Sequence, residues 1–320
     1  MATLDADAQE LAYWLALNPS NKLIPTRKVL TAYDQLGSME ELWKATTDRL
    51  KTIGLTETEI KTFINYKLKH DHQYQMHQIS SAIQDKVRII RITDQQYPQQ
   101  LKETVGALVE PPLLLFHKGA LLNFDNLVAI VGTRESSSRG RSIARRLAKE
   151  LAEKGYVIAS GLARGIDTQA HEGALEAYNG KTISVLAWMK PVYPRENVEL
   201  LNDIQQRGAV MSENYLRPRQ KYAPAEFVLR NRIISGISRV LIAVETDEKG
   251  GTVHQVNLAL SQGRTVFTVT PDDNPRARRG YDTLMEKGAL PLREVDDVLH
   301  FLQYNKPKIS RISLDSFEKI

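Results

Sequence analysis

The stretch LVAIVGTRESSSRGRSIARRLAKELAEKGYVIASGLARGIDTQA, residues 127–170, decides the fold that this chain is expected to adopt. Short apolar runs rich in β-branched residues stand at 127–131 and 156–159, and such runs are typical of buried parallel strands. Between them, Ile143 and Leu147 recur at helical spacing. The stretch therefore predicts a strand, a turn and a helix, followed by a second strand, turn and helix.

Both predicted turns combine glycine, hydroxyl and arginine residues, at Gly132–Arg134 and Ser160–Asp167. Glycine lets the backbone approach a ligand and present N–H groups, and the positive end of a helix follows each turn. Arg134, Arg139 and Arg164 add positive charge, so the turns predict a site for an anion, most simply phosphate. Neither turn matches the G-x-G-x-x-G dinucleotide motif or a phosphate-binding loop that ends in Gly-Lys-Ser/Thr. In the alternative interpretation, the glycines only make tight turns and the arginines only solvate the surface.

Composition narrows the classes of protein to which the chain can belong. Its 320 residues suffice for about two domains, and a net charge of +5 with a pI of about 9.2 permits a nucleic-acid partner without requiring one. The chain contains no cysteine, which excludes disulfides and thiolate nucleophiles and suits the cytoplasm. The first residues lack the basic segment of a signal peptide, and no apolar run is long enough to span a membrane, so neither secretion nor membrane insertion is expected.

Residues 1–80 are predicted to form a small all-α N-terminal module. Within it, residues 50–60 have the pattern of a helix–hairpin–helix or SAM-like unit, with a turn at Gly54 between two helices. Such a hairpin can offer backbone amides to a DNA phosphate, but it is also common in packing and protein contacts, and acidic neighbours favour that second role. The rest of the chain divides into a main domain, 81–303, and a short tail, 304–320.

The alternation of strands and helices continues through the main domain. Six further strands are predicted, at 87–92, 111–119, 182–188, 209–213, 240–245 and 265–270. The first two precede the central unit and are expected to extend its sheet. This order predicts an α/β fold with a doubly wound, mainly parallel sheet. Because the loops that follow parallel strands lie at one edge of a sheet, their polar residues are expected to gather there.

A second basic cluster, Arg230–Arg232, is predicted near the start of a helix, where acidic residues are usually favoured. Two arginines at this position indicate that an anion binds there, or that the arginines pair with Glu213 and Glu245. Phe227 and Tyr222 lie nearby and are candidates to stack on nucleobases. For Phe227, ordinary core packing is the alternative.

The sequence contains no clear catalytic constellation. Asp167 and His171 lie four residues apart, so they are expected to contact each other on one helix face and to fix the preceding turn. No nucleophile with an orienting base emerges, and no metal motif such as H-E-x-x-H is present. The sequence therefore favours binding over catalysis, with no catalytic residue, metal site or cofactor expected.

Six motifs, in their order along the chain, resemble those of the DprA/Smf family of DNA-processing proteins. They are VGTRESSSRG (131–140), SGLARGIDTQAH (160–171), VYPREN (192–197), SEN (212–214), FVLRNRIISGIS (227–238) and GRTVFTVTP (263–271). The resemblance spans roughly residues 87–302 and implies an extended Rossmann-like domain, with a C-terminal tail too short for the winged helix that some members carry. It also implies a cytoplasmic homodimer that binds single-stranded DNA and loads RecA onto it during natural transformation.

The resemblance and the positions of the loops together give the predicted DNA-binding residues. They are Gly132, Thr133, Arg134, Ser138, Ser160, Gly161, Arg164, Gly165, Lys221, Phe227, Arg230, Asn231, Arg232, Gly251 and Thr252.

Two other hypotheses remain open. Residues 249–252, Lys-Gly-Gly-Thr, are faintly similar to the glycine turn of lysine-decarboxylase-like phosphoribohydrolases. The second hypothesis is therefore a nucleotide sensor, or an enzyme that releases the base from nucleoside monophosphates. The third is an interaction scaffold whose N-terminal module recruits a partner. In that case, deletion of residues 1–80 would abolish function and leave DNA affinity unchanged.

Overall fold

A mixed β-sheet runs through the centre of the fold. The computed structural model describes residues 2–18, 23–69, 72–104, 110–120, 124–217, 223–271 and 274–305. Within these ranges the strands are β1 (Arg88–Arg91), β2 (Leu114–Gly119), β3 (Leu127–Val131), β4 (Val157–Ser160), β5 (Thr182–Leu186), β6 (Ala209–Ser212), β7 (Val240–Ala243), β8 (Thr265–Val269) and β9 (Leu290–Leu292). Helices alternate with most of them, which confirms the predicted α/β class.

The order of the strands reverses at β3. Across the sheet the order is β1-β2-β6-β5-β4-β3-β7-β8-β9. The pairs β1–β2 and β2–β6 are antiparallel, and every other neighbouring pair in this order is parallel. The doubly wound sheet, extended by two early strands, is thereby confirmed. The chain builds outward from β3 toward one edge and then, from β7, toward the other. Ligands of open α/β sheets bind at such a reversal, beyond the carboxyl ends of the strands.

The side chains of β3 contribute to two hydrophobic cores, one on each face of the sheet. Leu127, Ala129 and Val131 belong to one buried cluster, and Val128 and Ile130 belong to the other. All five are buried because helices cover both faces of the parallel strands. The unbroken apolar run of this strand in the sequence follows from that burial.

Helices precede the sheet over the described part of residues 2–84. They are α1 (Ala2–Ala16), α2 (Thr26–Leu36), α3 (Met39–Lys44), α4 (Thr47–Thr52), α5 (Glu57–Lys69) and α6 (Gln73–Gln84). A turn at Gly54 joins α4 to α5 within the stretch 50–60. Trp14 and Phe63 share one buried cluster with Leu115 of β2. The helical module therefore packs directly on the sheet.

The helices of the main domain also cover both faces of the sheet. They are α7 (Gln99–Lys102), α8 (Ser138–Glu153), α9 (Ile166–Glu176), α10 (Val198–Arg207), α11 (Ala223–Gly236), α12 (Gly251–Ser261), α13 (Pro275–Glu286) and α14 (Val295–Tyr304). Buried residues of α8, α9 and α14 pack on one face of the sheet, and those of α10, α11 and α12 pack on the other. In the described ranges, none of the helices has the length and apolar character that crossing a membrane requires.

Three boundaries differ from the sequence prediction. Strand β5 ends at Leu186, so Trp188 lies in the following loop and not in the strand. Helix α11 begins at Ala223, which places Arg230 in the middle of the helix and not near its start. Strand β2 begins at Leu114, three residues later than predicted. The first two changes alter which side chains reach the sheet edge.

Candidate functional site

A cavity of about 760 Å³ opens at the carboxyl ends of β3 and β7, where the strand order reverses. Its lining residues come from the turns after β3, β4, β5, β6 and β7 and from helices α9, α11, α12 and α13. We call this space the switch cavity. The predicted gathering of post-strand turns at one edge of the sheet is confirmed.

One wall of the switch cavity is made of aromatic rings and arginines. The ring of Phe227 lies 5.2 Å from that of Trp188 and 5.6 Å from that of Tyr193, measured between centroids. The guanidinium carbon of Arg134 lies 5.5 Å from the centre of the Phe227 ring, and that of Arg217 lies 5.4 Å from Trp188. These five residues form the aromatic–arginine wall. Such a wall offers flat π surfaces beside positive charge, which suits unpaired bases and their phosphates.

Arg230 is a buried cation at the base of the switch cavity. It is 6% exposed, and its Nη1 donates to the carbonyl oxygen of Gly161 at 2.7 Å and to that of Val185. A side chain on Gly161 would collide with this guanidinium and displace it. Burial lowers the pKa of Arg230 to about 10, and Asp167 partly opposes that effect. The guanidinium therefore stays protonated at neutral pH and holds a positive charge in a fixed place.

Asp167 and His171 do not form the predicted pair. Nδ1 of His171 hydrogen-bonds to Oγ1 of Thr182 at 2.7 Å, and that hydroxyl in turn donates to the carbonyl oxygen of Ile158. Nδ1 is therefore the protonated ring nitrogen. Burial lowers the pKa of His171 to about 3, and burial raises the pKa of Asp167, although Arg230 opposes the latter shift. The prediction was wrong because His171 faces the sheet and not the turn.

The amino end of α12 opens into the switch cavity. Gly250 caps this 11-residue helix without a side-chain hydrogen bond, and Gly251 and Thr252 line the cavity. Gln255, one turn later, is 6% exposed and also lines it, and among the described residues its Nε2 has no hydrogen-bond partner. The positive end of a helix with free amides is a favourable place for an anion.

A carboxylate already occupies the start of the first helix after β3. Glu245 accepts hydrogen bonds from the backbone N–H of Ser137 at 3.0 Å and from its hydroxyl at 2.8 Å. The Ser137 hydroxyl in turn accepts from the N–H of Gly140, as the cap of α8. Ser138 is exposed and lies outside the switch cavity. At this turn the Glu245 carboxylate therefore occupies the place where a phosphate was expected.

Arg232 points away from the switch cavity into the protein. Its side chain is 1% exposed and forms two hydrogen bonds of 2.8 Å with the carboxylate of Glu213, which is 5% exposed. The predicted pairing of an arginine with Glu213 is therefore confirmed for Arg232. The corresponding pairing with Glu245 was wrong, because Glu245 binds Ser137 instead.

Three predicted residues of the second turn lie behind or beside the switch cavity. Ser160 is buried and donates its hydroxyl to the carbonyl oxygen of Ile130 at 2.7 Å. Gly165 adopts a φ of +79° and packs so closely on the carbonyl oxygen of Thr133 that no side chain fits there. Arg164 is exposed and forms an ion pair with Glu196. Ser160 and Gly165 therefore shape the turn, and Glu196 offsets the charge of Arg164.

The predicted residues thus fall into distinct groups. Those that line the switch cavity are Gly132, Thr133, Arg134, Phe227, Arg230, Asn231, Gly251 and Thr252. Gly161 and Arg164 line a small adjoining cleft that shares Arg134, Phe227 and Arg230 with the cavity. Ser138, Ser160, Gly165 and Arg232 do not line either space. Lys221 lies outside the described residues, as does Tyr222.

The lining residues of the switch cavity that sequence reasoning missed include Trp188, Arg217 and Gln255. Trp188 was assigned to a buried strand because it continues an apolar run. Arg217 stands in a long loop with other basic residues, and no local pattern distinguishes it from them. Gln255 lies inside a predicted helix, but its spacing of four residues from Gly251 places it on the same helix face and was a usable signal.

An ion pair between Arg276 and Asp247 also lines the switch cavity. Arg276 of α13 binds the carboxylate of Asp247, and its Nη2 lies 3.9 Å from the carboxylate of Glu135. Hydrogen bonding to Arg276 lowers the pKa of Asp247. Arg134, Arg217 and Arg230 are therefore the cations of the cavity that acidic neighbours offset least.

Comparisons with known proteins agree with this fold. A family model described as DNA recombination-mediator protein A matches residues 88–303. DNA processing protein DprA of Bacillus subtilis (strain 168) is 36% identical over 229 residues, which cover 69% of this chain and 75% of that protein. The resemblance that the six motifs carry is thereby confirmed.

Two known structures of DNA processing protein A are also similar to the chain. The X-ray structure from Streptococcus pneumoniae has a TM-score of 0.69 at 29% identity and covers 90% of this chain and 95% of its own. The structure from Helicobacter pylori has a TM-score of 0.57 at 28% identity and covers 68% of this chain and 100% of its own. The second is described as giving insight into a unique mode of single-stranded DNA binding by that protein.

Proposed function

The chain belongs to the DNA recombination-mediator protein A, or DprA/Smf, family, and from that premise we propose that it binds single-stranded DNA in the switch cavity. The matched residues, 88–303, include every element that lines the cavity. The single-stranded DNA binding described for the Helicobacter pylori relative supports the same class of ligand for this chain.

The observation that carries the proposal is the aromatic–arginine wall. Phe227 is only half-buried, although the rings of Trp188 and Tyr193 stand on two sides of it. Arg134 is exposed beside it. A nucleobase stacked on Phe227 would bring its phosphate within reach of that guanidinium. Stacking of a base on an aromatic side chain contributes about 1–3 kcal/mol and does not depend on base identity.

The phosphates have a second set of partners on the other side of the switch cavity. The amino end of α12, at Gly251 and Thr252, offers backbone N–H groups, and Arg230 supplies a buried positive charge between the two sides. We place a backbone phosphate at this helix end. Gln255 lies one turn further along and can donate from its amide to the same phosphate or to the adjacent sugar.

The geometry favours a single strand over a duplex. The bases of a duplex stack on each other and do not present a free face to Phe227. A single strand can turn its bases into the cavity while its phosphates stay near the arginines. A cavity with one aromatic wall is therefore expected to prefer unpaired DNA without reading its sequence.

We extend the proposal to the biological role of the chain. A recombination mediator delivers single-stranded DNA to a recombinase, so RecA is the proposed protein partner, and DNA taken up in natural transformation is the proposed substrate. The proposed assembly is a homodimer that acts in the cytoplasm. The family description supports the mediator role among these points.

The proposed role is binding and not catalysis. Asp167 faces Arg230, and His171 is directed at Thr182, so neither is poised beside a nucleophile. Over the described ranges, no group of three or more histidine, aspartate or glutamate residues is arranged to hold a metal ion. The rival phosphoribohydrolase hypothesis requires release of free base from nucleoside monophosphates, which chromatography of the incubated nucleotides would detect.

Fluorescence anisotropy with labelled oligo-dT and with a duplex of the same length tests the proposal. We expect tighter binding of the single strand, with an affinity that falls as salt rises because phosphate contacts release counterions. Equal affinity for the duplex, or no binding of either, would contradict the proposal. Faster RecA filament assembly on the bound strand is the expected result for the proposed mediator role.

A further inference from the structure

Helix α6 of the N-terminal module holds the loop that carries Arg217. Gln78 of this helix is 2% exposed, and its Oε1 accepts hydrogen bonds from the backbone N–H of Tyr215 at 2.9 Å and of Leu216 at 3.1 Å. The hydroxyl of Tyr74, one turn earlier, donates to the carbonyl oxygen of Arg217 at 3.0 Å. Two side chains of α6 therefore fix three consecutive backbone units of the loop after β6.

The same helix also holds the loop after β5. Asp85, which caps the carboxyl end of α6, lies 2.6 Å from Nζ of Lys190 and accepts from the hydroxyl of Tyr215. The backbone N–H of Lys190 donates to the carbonyl oxygen of Tyr215 at 2.9 Å, and that of Arg217 donates to the carbonyl oxygen of Lys190 at 2.9 Å. The two loops are thus bonded to each other and to α6 as one unit.

These contacts bear on the position of two of the five residues of the aromatic–arginine wall, Trp188 and Arg217. Trp188 lies two residues before Lys190, and Arg217 follows Leu216 directly. Arg217 is exposed, so its own packing does little to hold it over the Trp188 ring. The place of Arg217 beside the switch cavity therefore depends on the backbone that Gln78, Tyr74 and Lys190 hold.

We propose that Gln78 is a positioning residue for single-stranded DNA, and that the N-terminal helical module is thereby part of the DNA-binding unit. The inference rests on the proposed function of the switch cavity. It differs from the scaffold hypothesis, in which the module recruits a partner and its loss leaves DNA affinity unchanged. Gln78 does not contact the ligand and acts through the loop that carries Arg217.

Hydrogen exchange measured by mass spectrometry tests the positioning itself, without DNA. In Gln78→Leu the amides of Tyr215 and Leu216 lose their acceptor, so the peptide that contains them should exchange faster. Gln78→Glu keeps an oxygen acceptor and should restore slow exchange. Gln75→Leu is the matched control, because Gln75 is a buried glutamine of the same helix that bonds only within the module, to Tyr66.

Binding of labelled oligo-dT tests the functional consequence. We expect Gln78→Leu to weaken binding about two- to fivefold, which corresponds to the energy of one exposed arginine–aromatic contact. Gln75→Leu should bind as the unsubstituted protein does. In an Arg217→Ala background, Gln78→Leu should have little further effect, because it acts through that arginine. Thermal unfolding of each variant checks that the fold is retained.

The outcomes separate the inference from the function on which it rests. Faster exchange together with an affinity loss that disappears in the Arg217→Ala background supports the inference. Unchanged exchange in Gln78→Leu, unchanged affinity despite faster exchange, or equal losses for both glutamine variants would overturn it. If the unsubstituted protein does not bind oligo-dT at all, the proposed function fails, and the inference about DNA fails with it.

Discussion

At the scale of single residues, two arginines of the switch cavity have different tasks. Arg230 is buried, and backbone carbonyls of Gly161 and Val185 hold it, so it gives the cavity a permanent positive charge. Arg134 is exposed and lies against the face of Phe227 without an acidic partner among the described contacts. Arg134 is therefore the arginine that a variant can remove with the least damage to the fold.

Replacement of Arg134 by alanine should weaken the binding of oligo-dT about tenfold at low salt, because a charge-assisted contact to a phosphate is lost. The slope of log affinity against log salt should also decrease, by about 0.7 for one phosphate of a single strand. Anisotropy titrations at several salt concentrations measure both quantities.

Arg146→Ala is the matched control for that variant. Arg146 is an exposed arginine of α8 that pairs with Glu150 and does not line the switch cavity. The control removes the same charge from a position outside the switch cavity. It should therefore change the affinity and the salt slope only slightly. Equal effects of the two substitutions would show that net charge matters and that Arg134 has no specific contact.

His117 should make the protein less stable in acid. It is fully buried on β2, and over the described ranges neither ring nitrogen has a hydrogen-bond partner. Burial lowers its pKa to about 4, and Arg88 adds to that shift, whereas the unfolded chain has the ordinary value near 6.5. Between these two values the unfolded state binds more protons. Stability is therefore highest above pH 6.5 and falls as the pH drops, by on the order of 1 kcal/mol per pH unit.

The expected result for His117→Leu is a smaller fall in melting temperature between pH 7 and pH 5 than in the unsubstituted protein, measured by thermal unfolding. Stability at pH 7 should be kept or raised, because two buried polar atoms are removed. His77→Gln, an exposed histidine of α6, should leave the fall unchanged. An undiminished fall in His117→Leu would assign the acid sensitivity to other groups, of which buried His171 is the next candidate.

At the scale of secondary structure, the apolar runs predicted the central strands well, because strands buried on both faces need no alternation. Helix α11 was harder to place. Pro224 made the preceding residues read as a loop, but proline is well tolerated in the first turn of a helix, and α11 begins at Ala223. That shift separates two arginines that stand close in sequence. Arg230 reaches the switch cavity, and Arg232 reaches Glu213 instead.

Local sequence could not determine which of the two arginines reaches the switch cavity and which pairs with Glu213. An arginine near a sheet edge can bind an external anion or a buried carboxylate, and the choice depends on the angle at which its helix packs. Glu213 lies 19 positions before Arg232, directly after β6. The sequence predicted both alternatives, and the packing of α11 against β5 and α12 selects between them.

Glu213→Gln should lower the free energy of unfolding by about 3–5 kcal/mol, because Arg232 would be left as an uncompensated buried charge. Chemical denaturation measures the change. Glu150→Gln breaks an exposed pair with Arg146 and should cost no more than about 1 kcal/mol. A Glu213→Gln protein that is fully stable but has lost its affinity for oligo-dT would place Arg232 in the DNA interface after all.

At the scale of the whole molecule, the helical module and the sheet are joined by a shared hydrophobic cluster and by the polar contacts of α6. Gln78 lies 137 positions before Tyr215, so no local pattern links them. The fold class and the sheet edge of the site were predictable from periodicity and turn residues. The contribution of the distant helix α6 to that edge depends on tertiary packing and was not predictable from the sequence.

The most direct test of the central claim is photocrosslinking of oligo-dT that carries 5-iododeoxyuridine, followed by mass spectrometry of the linked peptides. If single-stranded DNA lies in the switch cavity, crosslinks should form at Phe227, Tyr193 or Trp188, the aromatic side chains of its wall. Excess unlabelled oligo-dT should abolish them. Crosslinks confined to the N-terminal helices, or to surfaces remote from the carboxyl ends of β3 and β7, would contradict the account.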